Sequence, residues 1–269
     1  MTRAVVERRT GTMEQIDLET ILTGVDPEPS YLVDGLLCKG QVICFAGDPG
    51  VGKSFLLYYV SMSIACGLTV LGRKAVMGKV LYFDEENSRL DLAQYLRWIW
   101  RGLGCPNVEQ MQANLFIEQF SLSKQGSKRW DYMARCADEV KPALIVVDTV
   151  ISCADVQDEN DNAEAMAALK RFRKIRDVAG PETTMILLKH AKFTHDPHVK
   201  QSIRGAKVWK DQTDGLYFHK LAAGKPRGDG LRNCKLVPDK VRAFGLREQI
   251  DIIPSWVGDG KEKGVVLHG

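Results

Sequence analysis

Four apolar runs of strand length recur along the chain: Val42-Ile43-Cys44-Phe45-Ala46, Val80-Leu81-Tyr82-Phe83, Ala143-Leu144-Ile145-Val146-Val147 and Met185-Ile186-Leu187-Leu188. Between them lie stretches whose apolar residues return at helical intervals. Phe55–Cys66 is one, with Gly67 placed as its C-terminal stop. Ser88–Leu103 repeats Leu90, Leu92, Tyr95, Leu96, Ile99 and Leu103, and Ala163–Val178 puts Met166, Leu169, Phe172 and Ile175 on one side. Asn114–Phe120 reads as a further strand and Arg129–Val140 as a further helix. A strand that is apolar at every position must be covered on both faces, and strands alternating with helices run parallel. The pattern therefore predicts an α/β fold with a mostly parallel central sheet flanked by helices. From Gly215 onward shorter alternating segments and Gly/Pro turns predict an antiparallel C-terminal edge.

Composition adds limits. Of 269 residues, 45% are hydrophobic and 26% charged, the mixture of an ordinary globular chain rather than a disordered one. No apolar run approaches the ~18 residues needed to cross a bilayer, and Met1–Thr12 has no apolar signal core, so no membrane partner is expected. Seven cysteines without a Cys-x-x-Cys pair read as thiols of a reducing compartment, which predicts a cytoplasmic protein. There is no internal repeat. The net charge of +3 is too small to imply a nucleic-acid partner; only its distribution could.

The first apolar run leads into Gly47-Asp48-Pro49-Gly50-Val51-Gly52-Lys53-Ser54, with Phe55 opening the helix beyond it. This is G-x-x-x-x-G-K-[ST] in its required setting, strand before and helix after. Glycines let successive N–H groups turn into one concave nest around a triphosphate, and the helix adds its positive end. Lys53 can reach the β- and γ-phosphates, and the Ser54 hydroxyl can ligate Mg2+. Asp148 closes the third run, where a Walker B carboxylate holds Mg2+ through water. The second run ends in Asp84-Glu85-Glu86-Asn87, and one carboxylate there could polarise an attacking water. Position alone does not choose between Glu85 and Glu86.

The motif order, Gly47–Ser54, Val80–Asn87, Leu144–Asp148, Leu187–Ala191 and Ile203–Ala206, resembles the RecA-like ATPases. It is most similar to the RepA-type hexameric replicative helicases, with RadA and KaiC as more distant relatives. The resemblance implies ATP and Mg2+ as cofactors. It aligns the catalytic glutamate with Glu86, with Glu85 as fallback, and the polar sensor of the γ-phosphate with His190. It matches Lys240-Val241-Arg242 to the Lys-x-Arg that reaches a neighbouring subunit's phosphate, which implies a homo-oligomer, a hexamer in the closest branch. The chain is expected to divide into an N-terminal arm (1–29), polar and ending in Asp26-Pro27-Glu28-Pro29, a RecA-like ATPase domain (30–255) and a C-terminal tail (256–269).

Charge distribution suggests what such a motor would act on. From Lys189 to Lys210 there are six Lys or Arg against one acid, Asp196. In RecA-like rings a loop here lines the channel and grips single-stranded DNA, which nominates Lys192, His195, His198, Lys200 and Arg204. The loop Ser152–Glu164 carries five acids and no base, which argues against its holding phosphate. The expected function is a ring-forming ATPase motor on single-stranded DNA, a replicative helicase first. The alternatives are a recombination mediator that coats DNA and a KaiC-like regulatory ATPase without nucleic acid. As only the motor is legible, a separate loader or primase would be needed for replication.

Overall fold

A computed structural model describes residues 17–24, 28–120, 122–154, 156, 158, 160–192, 202–205, 207–224, 227–242 and 244–269. In chain order the elements begin with α1 (Leu18–Thr23), β1 (Tyr31–Val33), β2 (Leu37–Cys38), β3 (Val42–Gly47), α2 (Lys53–Cys66), β4 (Val80–Asp84) and α3 (Arg89–Gly102). Next come α4 (Val108–Asn114), β5 (Leu115–Gln119), α5 (Leu122–Gln125), α6 (Arg129–Val140), β6 (Leu144–Asp148), α7 (Val150–Ala154) and α8 (Asn162–Ala179). The chain continues through β7 (Thr184–His190), α9 (Val208–Asp211), β8 (Gly215–Leu221), β9 (Cys234–Val241), β10 (Ile250–Val257) and β11 (Gly264–His268).

The main sheet has the order β11-β10-β9-β8-β3-β7-β6-β4-β5. From β8 to β5 every pairing is parallel; β9, β10 and β11 extend the sheet antiparallel. The α/β expectation holds, but the antiparallel edge starts one strand later than Gly215 suggests, because β8 pairs parallel with β3. The stretch 256–269, set apart as a tail by its sequence, instead completes β10 and supplies β11. Pro254 obscures this strand. It is tolerated because β9 pairs only with Ile250–Ile252, so its missing N–H falls where that ladder has ended.

Alternation sorts each strand between two cores. Ile43, Phe45, Tyr82, Val146 and Leu188 face α2, whereas Cys44, Phe83, Val147 and Leu187 face α6 and α8. Each fully buried aliphatic or aromatic side chain contributes ~1.5–3 kcal/mol, so both helical layers are held by the sheet rather than by their own propensity. α2 is buried on almost every side. It ends where Gly67 takes a left-handed φ of 67° and returns its N–H to Ile64 and Ser63 carbonyls. α3 starts on Ser88, whose hydroxyl accepts the Asp91 N–H at 3.1 Å. Among the described residues, no helix is long and apolar enough to cross a membrane.

Candidate active site

Parallel register brings the strand ends together. Gly47 of β3 lies opposite His190 of β7 and His219 of β8, and Asp84 of β4 lies opposite Asp148 of β6. The same period of two that points Tyr82, Val146 and Leu188 toward α2 points Asp84, Asp148 and His190 to that side as well. The phosphate loop Gly47–Ser54 therefore sits over a row of polar strand ends. Two of its glycines are required by backbone: Gly50 and Gly52 have φ of 73° and 87°, a region costly for side chains. Gly47 is required by space, since a Cβ there would stand 2.4 Å from the His219 carbonyl oxygen. Gly52 serves as the N-cap of α2 and offers no side-chain acceptor, so the first amides of the helix remain open toward the loop.

Lys53 is 6% exposed, and its ammonium donates to the Asp48 carbonyl at 2.9 Å. Burial lowers its pKa, and the charges of Glu86, Asp148 and Asp48 partly restore it. Asp148 is fully buried; burial raises its carboxyl to about 7, while the Tyr82 and Ser54 hydroxyls pull it back down. Tyr82 donates to Oδ2 at 2.7 Å, but Oδ1 has no hydrogen-bond partner. An unpartnered carboxylate oxygen beside a serine hydroxyl, raised in pKa by burial, is the donor set a hard divalent cation satisfies. Ser54 and Asp148 thus fit Mg2+.

The two glutamates point in different directions. Glu85 turns away and its Oε1 accepts the Leu122 N–H at 2.8 Å. Glu86 stays partly exposed with Oε1 3.7 Å from His190 Nε2, and its charge is felt at Lys53. Asp84 anchors that turn: its Oδ1 accepts from the Glu86 N–H at 3.1 Å, the Asn87 N–H at 2.9 Å and the Asn87 side-chain amide at 3.1 Å.

Next to Gly50, Gly52 and Phe55 opens a cavity of about 400 Å³ walled by Trp98, Leu231, Arg232, Trp256 and His219. Trp98 and Trp256 meet edge to face at 5.4 Å.

Residues 8–195 match the AAA domain family, which is well over half of the chain. The chain is a RecA-like P-loop ATPase of that family. It is also similar to proteins called DNA repair protein RadA. The Aquifex aeolicus protein is 32% identical over 137 residues, 51% of this chain and 25% of the relative. The Mycolicibacterium smegmatis protein is 31% identical over 175 residues, covering 62% and 32%. The Escherichia coli protein is 31% identical over 154 residues, covering 55% and 28%. The chain thus spans about a quarter to a third of the length of these relatives. They belong to the branch that motif order puts further away.

In this RecA-like ATPase the remaining candidate residues lie in two places. Directly past His190, Ala191 bridges Ile203, the Lys192 N–H donates to Ser202 and the Arg204 N–H donates back to His190. The stems of the basic loop are therefore laced to the end of β7. Lys192 and Arg204 are exposed and, with Pro49 and His190, line a cleft of about 810 Å³. His195, His198 and Lys200 lie outside the described residues. Within the acidic loop, Asp161 caps α8 through the Ala163 and Glu164 N–H groups, a local structural duty.

Lys240 and Arg242 are far away. β9 runs antiparallel, with Leu236 opposite His219 and Val241 opposite Gly215. At ~3.3 Å per residue the pair stands about 17 Å down the sheet from its own phosphate loop. Lys240 donates to the carbonyls of Lys210, Asp211 and Thr213, each at 2.7 Å. Arg242 is exposed; among the described residues its guanidinium meets the Asp211 carbonyl (2.9 Å) and Asp214 (4.0 Å).

Sequence reasoning passed over Tyr58, Tyr82 and His219, which look like core residues of apolar segments. His219 is 3% exposed with Nδ1 unpartnered, and burial together with the neighbouring Lys53 lowers its pKa to about 4. An isolated histidine in an apolar run was the signal the sequence offered; the pairing of β8 with β3 is what brings it to the phosphate loop.

Proposed function

We propose that this protein hydrolyses ATP in a ring of identical subunits and couples the cycle to single-stranded DNA. The phosphate loop and Lys53 take the triphosphate, and the aromatic cavity beside Phe55 is of a size for its nucleoside. Ser54 and Asp148 would hold Mg2+, which would neutralise charge on the phosphates. Glu86 orients the attacking water and takes its proton. His190, beside Glu86, hydrogen-bonds according to whether the terminal phosphate is present. Arg242 completes the site of the neighbouring copy, since it cannot reach its own.

The observation that carries the DNA reading is the lacing of Lys192 and Arg204 to the strand end that bears His190. A change at the phosphate there is transmitted to two exposed cations suited to phosphodiester contacts. The finer role is a hexameric helicase of the RepA type, served by a loader or primase from elsewhere and working in the cytoplasm. A recombination or repair mediator is the second reading, favoured by the similarity to the DNA repair proteins RadA.

The test measures ATP turnover with and without a single-stranded oligonucleotide, and binding across a salt series. The expected result is stimulated turnover and affinity that falls with salt. Absence of both would discard the DNA reading in favour of a KaiC-like regulator. Strand-separation assays and ring versus filament particles then separate helicase from mediator.

A further inference from the structure

Two tyrosines beneath the phosphate loop have no part in the chemistry above. Tyr82 on β4 and Tyr58 on α2 are both fully buried and stack with centroids 4.3 Å apart and planes at 13°. Each hydroxyl is committed to a different carboxylate. Tyr82 donates to Asp148 Oδ2 at 2.7 Å and Tyr58 donates to Asp84 Oδ2 at 2.5 Å. The other oxygens diverge. Asp148 Oδ1 is left without a partner, whereas Asp84 Oδ1 gathers the Glu86 and Asn87 donors.

A buried carboxylate held by one strong hydrogen bond presents its remaining oxygen in a single direction. Ser54 and Tyr58 are one helical turn apart on α2, so the same helix face supplies a ligand hydroxyl and an anchoring one.

We propose that Tyr82 and Tyr58 are positioning residues for the two acidic arms of the site. Tyr82 fixes the rotation of Asp148 so that Oδ1 faces the cation. Tyr58 fixes Asp84, and through it the turn that aims Glu86. The stacked rings lock both orientations to one another and to α2. The proposal rests on the reading that Ser54 and Asp148 hold Mg2+.

The test titrates MgCl2 into the full-length protein with a fluorescent N-methylanthraniloyl-ATP, beside an EDTA control. Nucleotide bound in EDTA counts the folded, binding-competent molecules, so a poorly folding variant still yields a reading. Tyr82→Phe is expected to raise half-saturating Mg2+ by about 10–100-fold while leaving affinity in EDTA unchanged. Tyr58→Phe is expected to leave half-saturating Mg2+ within about 2-fold and to lower turnover at saturating Mg2+ by about 10-fold. In an Asp148→Asn background, Tyr82→Phe should add nothing. Unchanged Mg2+ half-saturation in Tyr82→Phe, or fully additive effects with Asp148→Asn, would overturn the proposal while leaving the metal reading intact. A parent whose nucleotide binding ignores Mg2+ would overturn the metal reading, and the proposal with it.

Discussion

The two ends of the central sheet handle charge in opposite ways. At the end where β3, β4, β6 and β7 finish, ionic groups converge: Lys53, Asp84 and Asp148 are buried, His190 is half-buried and Glu86 stands at the exposed rim. At the other end, Lys240 and Arg242 spend their donors on the carbonyl end of α9 or on solvent. The first end is where the phosphate and cation site is proposed. Its exposed cations, Lys192 and Arg204, line the cleft beside His190, whereas the second end carries an exposed arginine about 17 Å from its own phosphate loop. This contrast is the ground for the proposal that a neighbouring copy completes the site.

The largest effect should therefore come from the end remote from the phosphate loop. Arg242→Ala is expected to cost about 10³–10⁵ in ATP turnover with nucleotide affinity little changed, the usual worth of an arginine supplied in trans. Mixing it with Lys53→Ala should restore part of the activity, because mixed neighbours contain one intact junction. Turnover of Arg242→Ala at the parental rate, or no recovery on mixing, would break the contrast.

Within the first end, Glu86→Gln should reduce turnover by about 10²–10⁴ without weakening nucleotide binding. Glu85→Gln is expected to keep near-parental turnover and to lose only ~1 kcal/mol of stability, as its carboxylate serves the Leu122 N–H. Equal losses in both variants would mean that the two glutamates share the chemistry.

How much of this was readable beforehand depends on how local each signal was. The phosphate loop is spelled out in eight consecutive residues, and an acid closing an apolar run marks a strand end, so Lys53, Ser54 and Asp148 were legible. The choice between Glu85 and Glu86 was not, because both lie past the last strand residue, where the period of two no longer sets direction. Tyr58 and Tyr82 were invisible because a tyrosine inside an apolar run counts as core until its hydroxyl is seen to have a partner. The fate of Lys240 depended on α9, thirty residues earlier, ending beside it. The antiparallel edge was foreseen, but residues 256–269 were left out of it for a comparable reason: Pro254 breaks the pattern, and only the pairing shows that it stands clear of the β9 ladder.

His219 sharpens the same contrast through pH. Its imidazole is held down to about 4, whereas an unfolded histidine titrates near 6.5. The folded protein keeps it neutral while the unfolded chain gains a proton. Its contribution is therefore fully present above pH ~6.5 and is lost as pH falls toward about 4, amounting to ~3 kcal/mol. Thermal midpoints measured without nucleotide between pH 7 and 4.5 should fall less steeply for His219→Gln than for the parent. Parallel curves would show that this histidine is protonated equally in both states.

The smallest expected effect separates two explanations of one residue. Lys240 and Arg242 form a single motif in the sequence, yet the structure gives Lys240 three carbonyl acceptors and lowers its pKa, chiefly by burial. A lysine so engaged would have to abandon three hydrogen bonds to reach a neighbour's phosphate. Lys240→Met is therefore expected to lower stability by ~0.5–1.5 kcal/mol, the net worth of hydrogen bonds whose half-exposed acceptors can turn to water. Turnover per folded molecule, measured well below the melting midpoint, should stay within about 3-fold of the parent. If melting were unchanged and turnover fell as far as in Arg242→Ala, the lysine would be acting on the adjacent phosphate. The far end of the sheet would then be a second catalytic surface rather than a helix cap beside a lone arginine.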